Sequence, residues 1–105
     1  GRLLVVGSVS GTSPGVPGVT AYAASKAFVR ALAAGLREEL LPAGVGVTCL
    51  MPGATDSAFA ATAGMDRALC FQLPFARELG VVLQADDVAD HGLEAALRGD
   101  AECVP

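Results

Sequence analysis

Apolar positions in this chain come in two patterns, short unbroken runs and a long interrupted one, and the alternation between them sets the expected elements. Arg2 to Val6 is an aliphatic run closed by Gly7 and by a Ser/Gly/Thr/Pro-rich stretch from Ser8 to Gly18. That pattern predicts a strand buried on both faces, followed by a long loop. From Thr20 to Leu41 the composition turns to Ala, Leu, Arg and Glu, with no proline until Pro42. The stretch predicts a helix of about six turns with Thr20 as its N-cap. Phe28, Leu32, Leu36 and Leu40 recur at i, i+4 spacing, with Arg30, Arg37 and Glu38 off that stripe. The stripe is expected to bury, either against the core or against a second subunit.

Pro42-Ala43-Gly44 stops the helix, and Val45 to Met51 forms a second nearly continuous apolar strand ended by Pro52-Gly53. Strand, helix and strand of these lengths make a parallel βαβ unit, so the fold class is α/β. Ala54 to Gly80 reads as a loop with short helices, one of them over Ala58 to Leu69, before Leu73-Pro74 breaks the pattern. Asp86-Asp87 then head a helix from about Val88 to Leu97 closed by Gly99, and Ala101 to Val104 is expected as a last strand.

With 105 residues, 52% of them apolar and 17% charged, the chain falls among globular compositions and holds at most one domain. Seven Lys+Arg against eleven Asp+Glu give a net charge of −4, so a nucleic-acid backbone would meet repulsion and no nucleic-acid partner is expected. No apolar run reaches the roughly 18 residues of a membrane helix, and the opening residues are too short for a signal peptide's apolar region. Cys49, Cys70 and Cys103 are odd in number and lack metal-ligand spacing, which points to neither a disulfide framework nor a metal site and suits a reducing, cytoplasmic setting. An apolar strand that starts at once after Gly1 reads as a piece of something longer.

Tyr22 is the only tyrosine and Lys26 the only lysine, four residues apart within the first turns of the expected helix. They therefore share a face. A phenol is a poor base at neutral pH, but a cation within about 4 to 6 Å favours its phenolate, which is what proton exchange with an alcohol or carbonyl oxygen requires. Ser8 stands at the carboxyl end of the first strand, and Pro52-Gly53 at that of the second, with the hydroxyls of Thr55 and Ser57 close behind. Open parallel sheets bind ligands at that edge, so all three segments are expected to border one crevice.

Gly7-Ser8-Val9-Ser10-Gly11, Tyr22-Ala23-Ala24-Ser25-Lys26 and Pro52-Gly53-Ala54-Thr55-Asp56-Ser57 resemble, in order and spacing, the serine segment, the YxxxK motif and the post-strand PG motif of the short-chain dehydrogenase/reductase family. The resemblance spans essentially the whole chain and implies a partial Rossmann-like parallel sheet of about three strands with flanking helices. It makes residues 1–105 the catalytic, carboxyl-terminal half of such a domain, with the dinucleotide-binding half absent. By the same resemblance Tyr22 is the acid/base, Lys26 its partner and a ligand of the nicotinamide ribose, and Ser8 the hydroxyl that orients the carbonyl. Ser10 stands second for that role, because Ser8 lies about one residue farther from Tyr22 than the family usually has it. Pro52, Gly53, Thr55 and Ser57 fall where the family lines the nicotinamide end of NAD or NADP.

The implied reaction is hydride transfer between a ketone and a secondary alcohol. Leu69, Phe71, Leu73 and Phe75 suggest an apolar small-molecule substrate. The long helix implies a homo-oligomer in the full-length enzyme, because the family often packs it in a four-helix dimer interface. The chain departs from the family in lacking the glycine-rich TGxxxGxG turn and in containing no asparagine. An isolated fragment of this kind is expected to be inactive.

Other readings stand beside this one. Tyr22 and Lys26 also suit an ordinary helix pair, with the chain a non-catalytic remnant that binds or oligomerises. Ser8 activated by Lys26 would suit acyl transfer, although no G-x-S-x-G elbow is present. His91 reads as a surface helix residue, and Cys49 as a small apolar strand residue.

Overall fold

A computed structural model of the chain describes residues 1–15, 17–56 and 83–105. The elements are β1 (Arg2–Val6), α1 (Thr20–Leu40), β2 (Gly46–Leu50), β3 (Thr55–Asp56), β4 (Leu83–Gln84), α2 (Ala85–Arg98) and β5 (Glu102–Cys103), with 3₁₀ turns at Val9–Thr12 and Leu41–Ala43. The order β1-β2-β5 forms one parallel sheet, and β3 pairs with β4 in a second. The fold is α/β, a partial Rossmann-like sheet of three strands with a helix on each face.

The layers follow from β2. Its residues Val47, Thr48, Cys49 and Leu50, with Met51 beyond, are all at most 4% exposed, which explains why the strand reads as an unbroken apolar run rather than an alternating one. Successive side chains point to opposite faces. Val47, Cys49 and Met51 meet Ala33 of α1, with Val5, Leu36 and Leu40 packed around them. On the other face Leu50 and Leu4 press on α2 at Gly92, where an added Cβ would lie 2.8 Å from the Leu50 side chain. A glycine there lets the helix approach the sheet.

The inward face of α1 differs from the expected stripe. Ala23 and Ala33 are buried, and Lys26, Arg30, Arg37 and Leu40 continue the same three-and-four spacing at partial burial. Of the apolar stripe, Leu36 and Leu40 pack on the core, whereas Phe28 and Leu32 are 67% and 46% exposed. Small residues win the inner position because they let the helix axis sit close to the sheet, while long cationic side chains at the flanks reach backbone carbonyls with their tips. Arg37, off the expected apolar stripe, donates from Nη1 to Val47 O and from Nη2 to Gly99 O, both at 2.8 Å. Arg30 forms a forked pair with Glu102 of β5, at 2.7 and 3.2 Å.

The helix boundaries shift slightly from the sequence expectation. The N-cap of α1 is Val19 and not Thr20, because the turn through Gly18 at φ +90° delivers the chain so that Ala23 N–H reaches Val19 O at 2.9 Å. Thr20 becomes the first helical residue. Helix α2 begins at Ala85, which puts Asp86 and Asp87 in its first turn, where the exposed N–H groups favour negative charge. Gly99 closes it at φ +84°. In the short pair β3–β4, joined by Leu83 N–H to Ala54 O at 2.8 Å, β3 lies inside the Ala54 to Gly80 region expected to be loop and β4 lies just after it. The expected helix over Ala58 to Leu69 and the apolar residues Leu69, Phe71, Leu73 and Phe75 lie outside the described residues, as does Cys70.

Candidate active site

At the carboxyl ends of β1 and β2 the backbone itself draws three segments together. Gly7 N–H donates to Leu50 O at 2.7 Å, extending the ladder, and Val9 N–H donates to Pro52 O at 3.1 Å. The loop after β1 and the Pro52-Gly53 loop after β2 are thereby one joined surface. Gly11 N–H returns to Ser8 O at 3.0 Å and closes the 3₁₀ turn. A Cβ added at Gly11 would stand 2.7 Å from the backbone carbon and oxygen of Lys26. The turn thus seats directly on α1 at Lys26, and only a residue without a side chain fits between them.

Ser8 caps that turn. Its backbone is extended, it is 7% exposed, and its Oγ accepts from Ser10 N–H at 3.1 Å. Among the described residues no acceptor takes the Ser8 hydroxyl proton, so the group is fixed by what it accepts and keeps a donor to offer. Ser10 contributes its backbone N–H to this arrangement.

Tyr22 and Lys26 are both half-buried on α1, with the Lys26 Nζ 5.8 Å from the centre of the Tyr22 ring. The two groups lie on one side of the helix. Lys26 Nζ also donates to Val6 O, the last carbonyl of β1, at 3.3 Å. This bond uses one of the ammonium's three hydrogens and pins the side chain to the strand end that precedes Ser8. Ser25, between the two motif residues, turns its hydroxyl back to Tyr22 O at 2.7 Å.

On the second loop Gly53 is open: an added Cβ would meet nothing within 4 Å. Thr55 Oγ1 donates to Gly53 O at 3.0 Å, so its proton is committed and its oxygen can only accept. Pro52 fixes the loop through its carbonyl bond from Val9. Ser57 lies outside the described residues.

The remaining titratable neighbours are structural. Cys49 is buried below Gly7, and burial pushes its thiol upward in pKa. His91 is exposed on α2 with Nδ1 2.7 Å from Asp87 O, the surface helix position expected for it. Among the described residues no group of His, Cys, Asp and Glu is placed to hold a metal ion, and no helix is long and apolar enough to cross a membrane. Gly11 is the positioning residue that motif spacing did not single out. The available signal was a glycine required in a turn that must dock on a helix.

A family model described as short chain dehydrogenase matches residues 1–68, a span that holds the serine turn, the Tyr22-Lys26 pair and the Pro52-Gly53 loop. The chain belongs to the short-chain dehydrogenase family. Members of this family are oxidoreductases built on a Rossmann-type sheet, and the whole-chain likeness agrees. An uncharacterized oxidoreductase of Myxococcus xanthus is 35% identical over 102 residues, covering 97% of this chain and 35% of that protein. Among solved structures, the short-chain dehydrogenase from Sphingobium yanoikuyae in complex with NADPH superposes with a TM-score of 0.80 at 33% identity, over 100% of this chain and 37% of that one. The bulky-bulky ketone specific alcohol dehydrogenase from Comamonas testosteroni gives 0.71 at 30% identity, over 100% of this chain and 34% of that one. The chain spans about a third of the length of these relatives.

Proposed function

We propose that this short-chain dehydrogenase chain is the carboxyl-terminal, proton-transferring half of an NAD(P)-dependent oxidoreductase that interconverts a ketone and a secondary alcohol. The observation that carries the reading is the Lys26 ammonium held 5.8 Å from the Tyr22 ring while tied to the end of β1. Two features support it. The Ser8 hydroxyl has a fixed oxygen and, among the described residues, no acceptor for its proton, and the Pro52-Gly53 loop is bonded directly to the Ser8 turn.

In this reading Tyr22 gives its phenolic proton to the carbonyl oxygen during reduction and takes it back during alcohol oxidation. Lys26 offsets the negative charge left on the Tyr22 oxygen, and its remaining ammonium hydrogens are available to a sugar hydroxyl of the dinucleotide. Ser8 donates its hydroxyl proton to the substrate oxygen and so fixes where that oxygen sits during the transfer. The open Gly53 backbone, Pro52 and Thr55 line the nicotinamide end, Ser57 is assigned there by the sequence motif alone, and Thr55 serves as an acceptor. The residues present fit a dinucleotide's reactive end: an unobstructed glycine, an anchored cation and two hydroxyls of opposite hydrogen-bonding character. The bound NAD(P) supplies the hydride. The glycine-rich phosphate cradle is contributed by residues outside this chain, so the 105 residues alone bind dinucleotide weakly and turn over little. An apolar carbonyl substrate, a homo-oligomeric complete enzyme and a cytoplasmic setting belong to the same reading.

Tyr22→Phe in the complete protein tests it. General acid/base groups contribute about 10²- to 10⁴-fold, so carbonyl reduction is expected to fall by that much. Dinucleotide affinity should stay within about threefold, because only the proton donor is removed. Retained turnover in that variant sinks the assignment and favours the non-catalytic alternative.

A further inference from the structure

At the opposite, amino-terminal end of the sheet a cleft opens, lined by Arg2, Arg37, Leu41, Gly44, Val45, Gly46 and Gly99, with a volume of about 220 Å³. Seven residues and no carboxylate surround it. Two guanidinium groups converge there. Arg37 reaches Gly99 O with Nη2, and Arg2 Nη1 lies 3.2 Å from where a Cβ would stand on Gly99 and 2.9 Å from the same point on Gly46. Glycine at both positions makes the floor over which Arg2 lies.

We propose that this cleft binds a phosphate dianion, free or as the phosphate group of a small monoester. Two guanidinium charges side by side in a chain of net charge −4 repel one another without an acid to offset them. Arg37 gives Nη1 and Nη2 hydrogens to carbonyls and keeps further N–H donors. Arg2 makes no hydrogen bond or ion pair with any described residue, so its whole fork is available. Paired guanidinium forks match phosphate oxygens in geometry, and the charge of two matches a phosphate near neutral pH. The volume exceeds several waters at about 30 Å³ each, and Leu41 and Val45 give the cleft an apolar wall that suits the carbon portion of a monoester. Arg2 pairs with Gly46 at the start of β1, whereas Lys26 is tied to Val6 at its end, so the cleft and the Tyr22 edge stand about 13 Å apart along the strand. Anion binding here does not compete with the reaction.

Calorimetric titration of the protein with inorganic phosphate, against chloride of equal ionic strength, tests the site. Saturable binding of one phosphate per chain is expected, weakened at least tenfold in Arg2→Gln and unchanged in Arg30→Gln, whose side chain is engaged with Glu102 outside the cleft. Because Arg2 is exposed and makes no structural bond, its variant should fold as the parent does. A parallel titration with phenyl phosphate assigns the source: tighter binding supports a monoester, equal binding supports free phosphate. Phosphate heats that never saturate, or that saturate equally in Arg2→Gln, overturn the proposal. Activity plays no part in the readout, so this result and that of the Tyr22→Phe test fail independently.

Discussion

Lys26 and Arg37 make the same kind of contact at opposite edges of one sheet, and they make it with different completeness. Lys26 donates once, at 3.3 Å, to the end of β1. Arg37 donates twice, at 2.8 Å each, to carbonyls of β2 and of the turn before β5, where the ladder between those strands has not yet begun. The arginine spends one hydrogen of each terminal nitrogen on architecture: it satisfies two carbonyls that the short strand β5 leaves without ladder partners. The lysine is steered by one bond and keeps donors and charge for something else. On the proposed function, a cation held by one long bond serves the proton-transferring edge. One held by two short bonds supports the frame, whatever its remaining donors meet.

This contrast can be broken by exchanging what each position loses. Lys26→Met is expected to lower turnover by about 10²-fold, with the melting temperature almost unchanged, since a single long hydrogen bond goes with it. Steady-state kinetics beside thermal unfolding would show the split. Arg37→Met should do the reverse, costing about 2–4 kcal/mol of stability through two lost charge-assisted bonds and two stranded carbonyls, while kcat stays level. If Arg37→Met removes activity at temperatures where it is folded, or if Lys26→Met mainly unfolds the protein, the division of labour is wrong.

Gly11→Ala sharpens the comparison from the side of the frame that supports the working edge. Its methyl would lie 2.7 Å from the Lys26 backbone, so the Ser8 turn must move off α1. We expect about 1–3 kcal/mol of destabilisation, with a loss of turnover greater than stability alone explains. A variant matching the parent in both would show that turn and helix need not touch.

The smallest effect concerns Arg30 and Glu102, a forked pair with both side chains 41% exposed. The Arg30 hydrogen bond holds the Glu102 carboxyl below the ordinary glutamate range, and the same contact raises Arg30. A carboxyl depressed in the folded state stabilises above its unfolded pKa, and that contribution is lost as pH falls through the folded value. Glu102→Gln should therefore flatten the acid limb of the stability curve slightly and change little at neutral pH, with the difference screened by salt. Unfolding midpoints at pH 3, 5 and 7 measure it.

Much of the fold was legible because its signals are local. β1 and β2 announce themselves as unbroken aliphatic runs; β2 is buried on both faces as that pattern implies, whereas β1 departs from the expectation, with Leu3 39% and Val6 55% exposed, because only β2 has a strand on either side in this sheet. Gly99 marked the end of α2 through the left-handed conformation that helix ends favour. The candidate site was legible for a related reason: Tyr22 and Lys26 share a helix face by spacing alone, and Ser8 and Pro52-Gly53 follow strand ends, which parallel sheets bring to one edge. The apolar stripe of α1 divided, with Leu36 and Leu40 on the core and Phe28 and Leu32 left at the surface of the single chain. Phe28 and Leu32 are large and correctly spaced, yet the helix turned Ala23 and Ala33 inward, because how near a helix sits to a sheet depends on the pair and not on either sequence segment.

The order of residues by itself determined the α/β class, the two long-range strands, the long helix between them and the spacing that sets a phenol one turn from an ammonium. Each of these depends on neighbours within a few positions, where chain geometry is fixed by 3.6- and 2-residue periods. Only the tertiary structure decided that Gly11 must lie bare against Lys26, that Arg37 clamps two distant carbonyls, that Ser8 is buried with its Oγ accepting from Ser10 N–H, and that Arg2 comes to lie over Gly46 and Gly99. Those are contacts between residues far apart in sequence, set by how closely packed layers approach, a distance that no local pattern encodes.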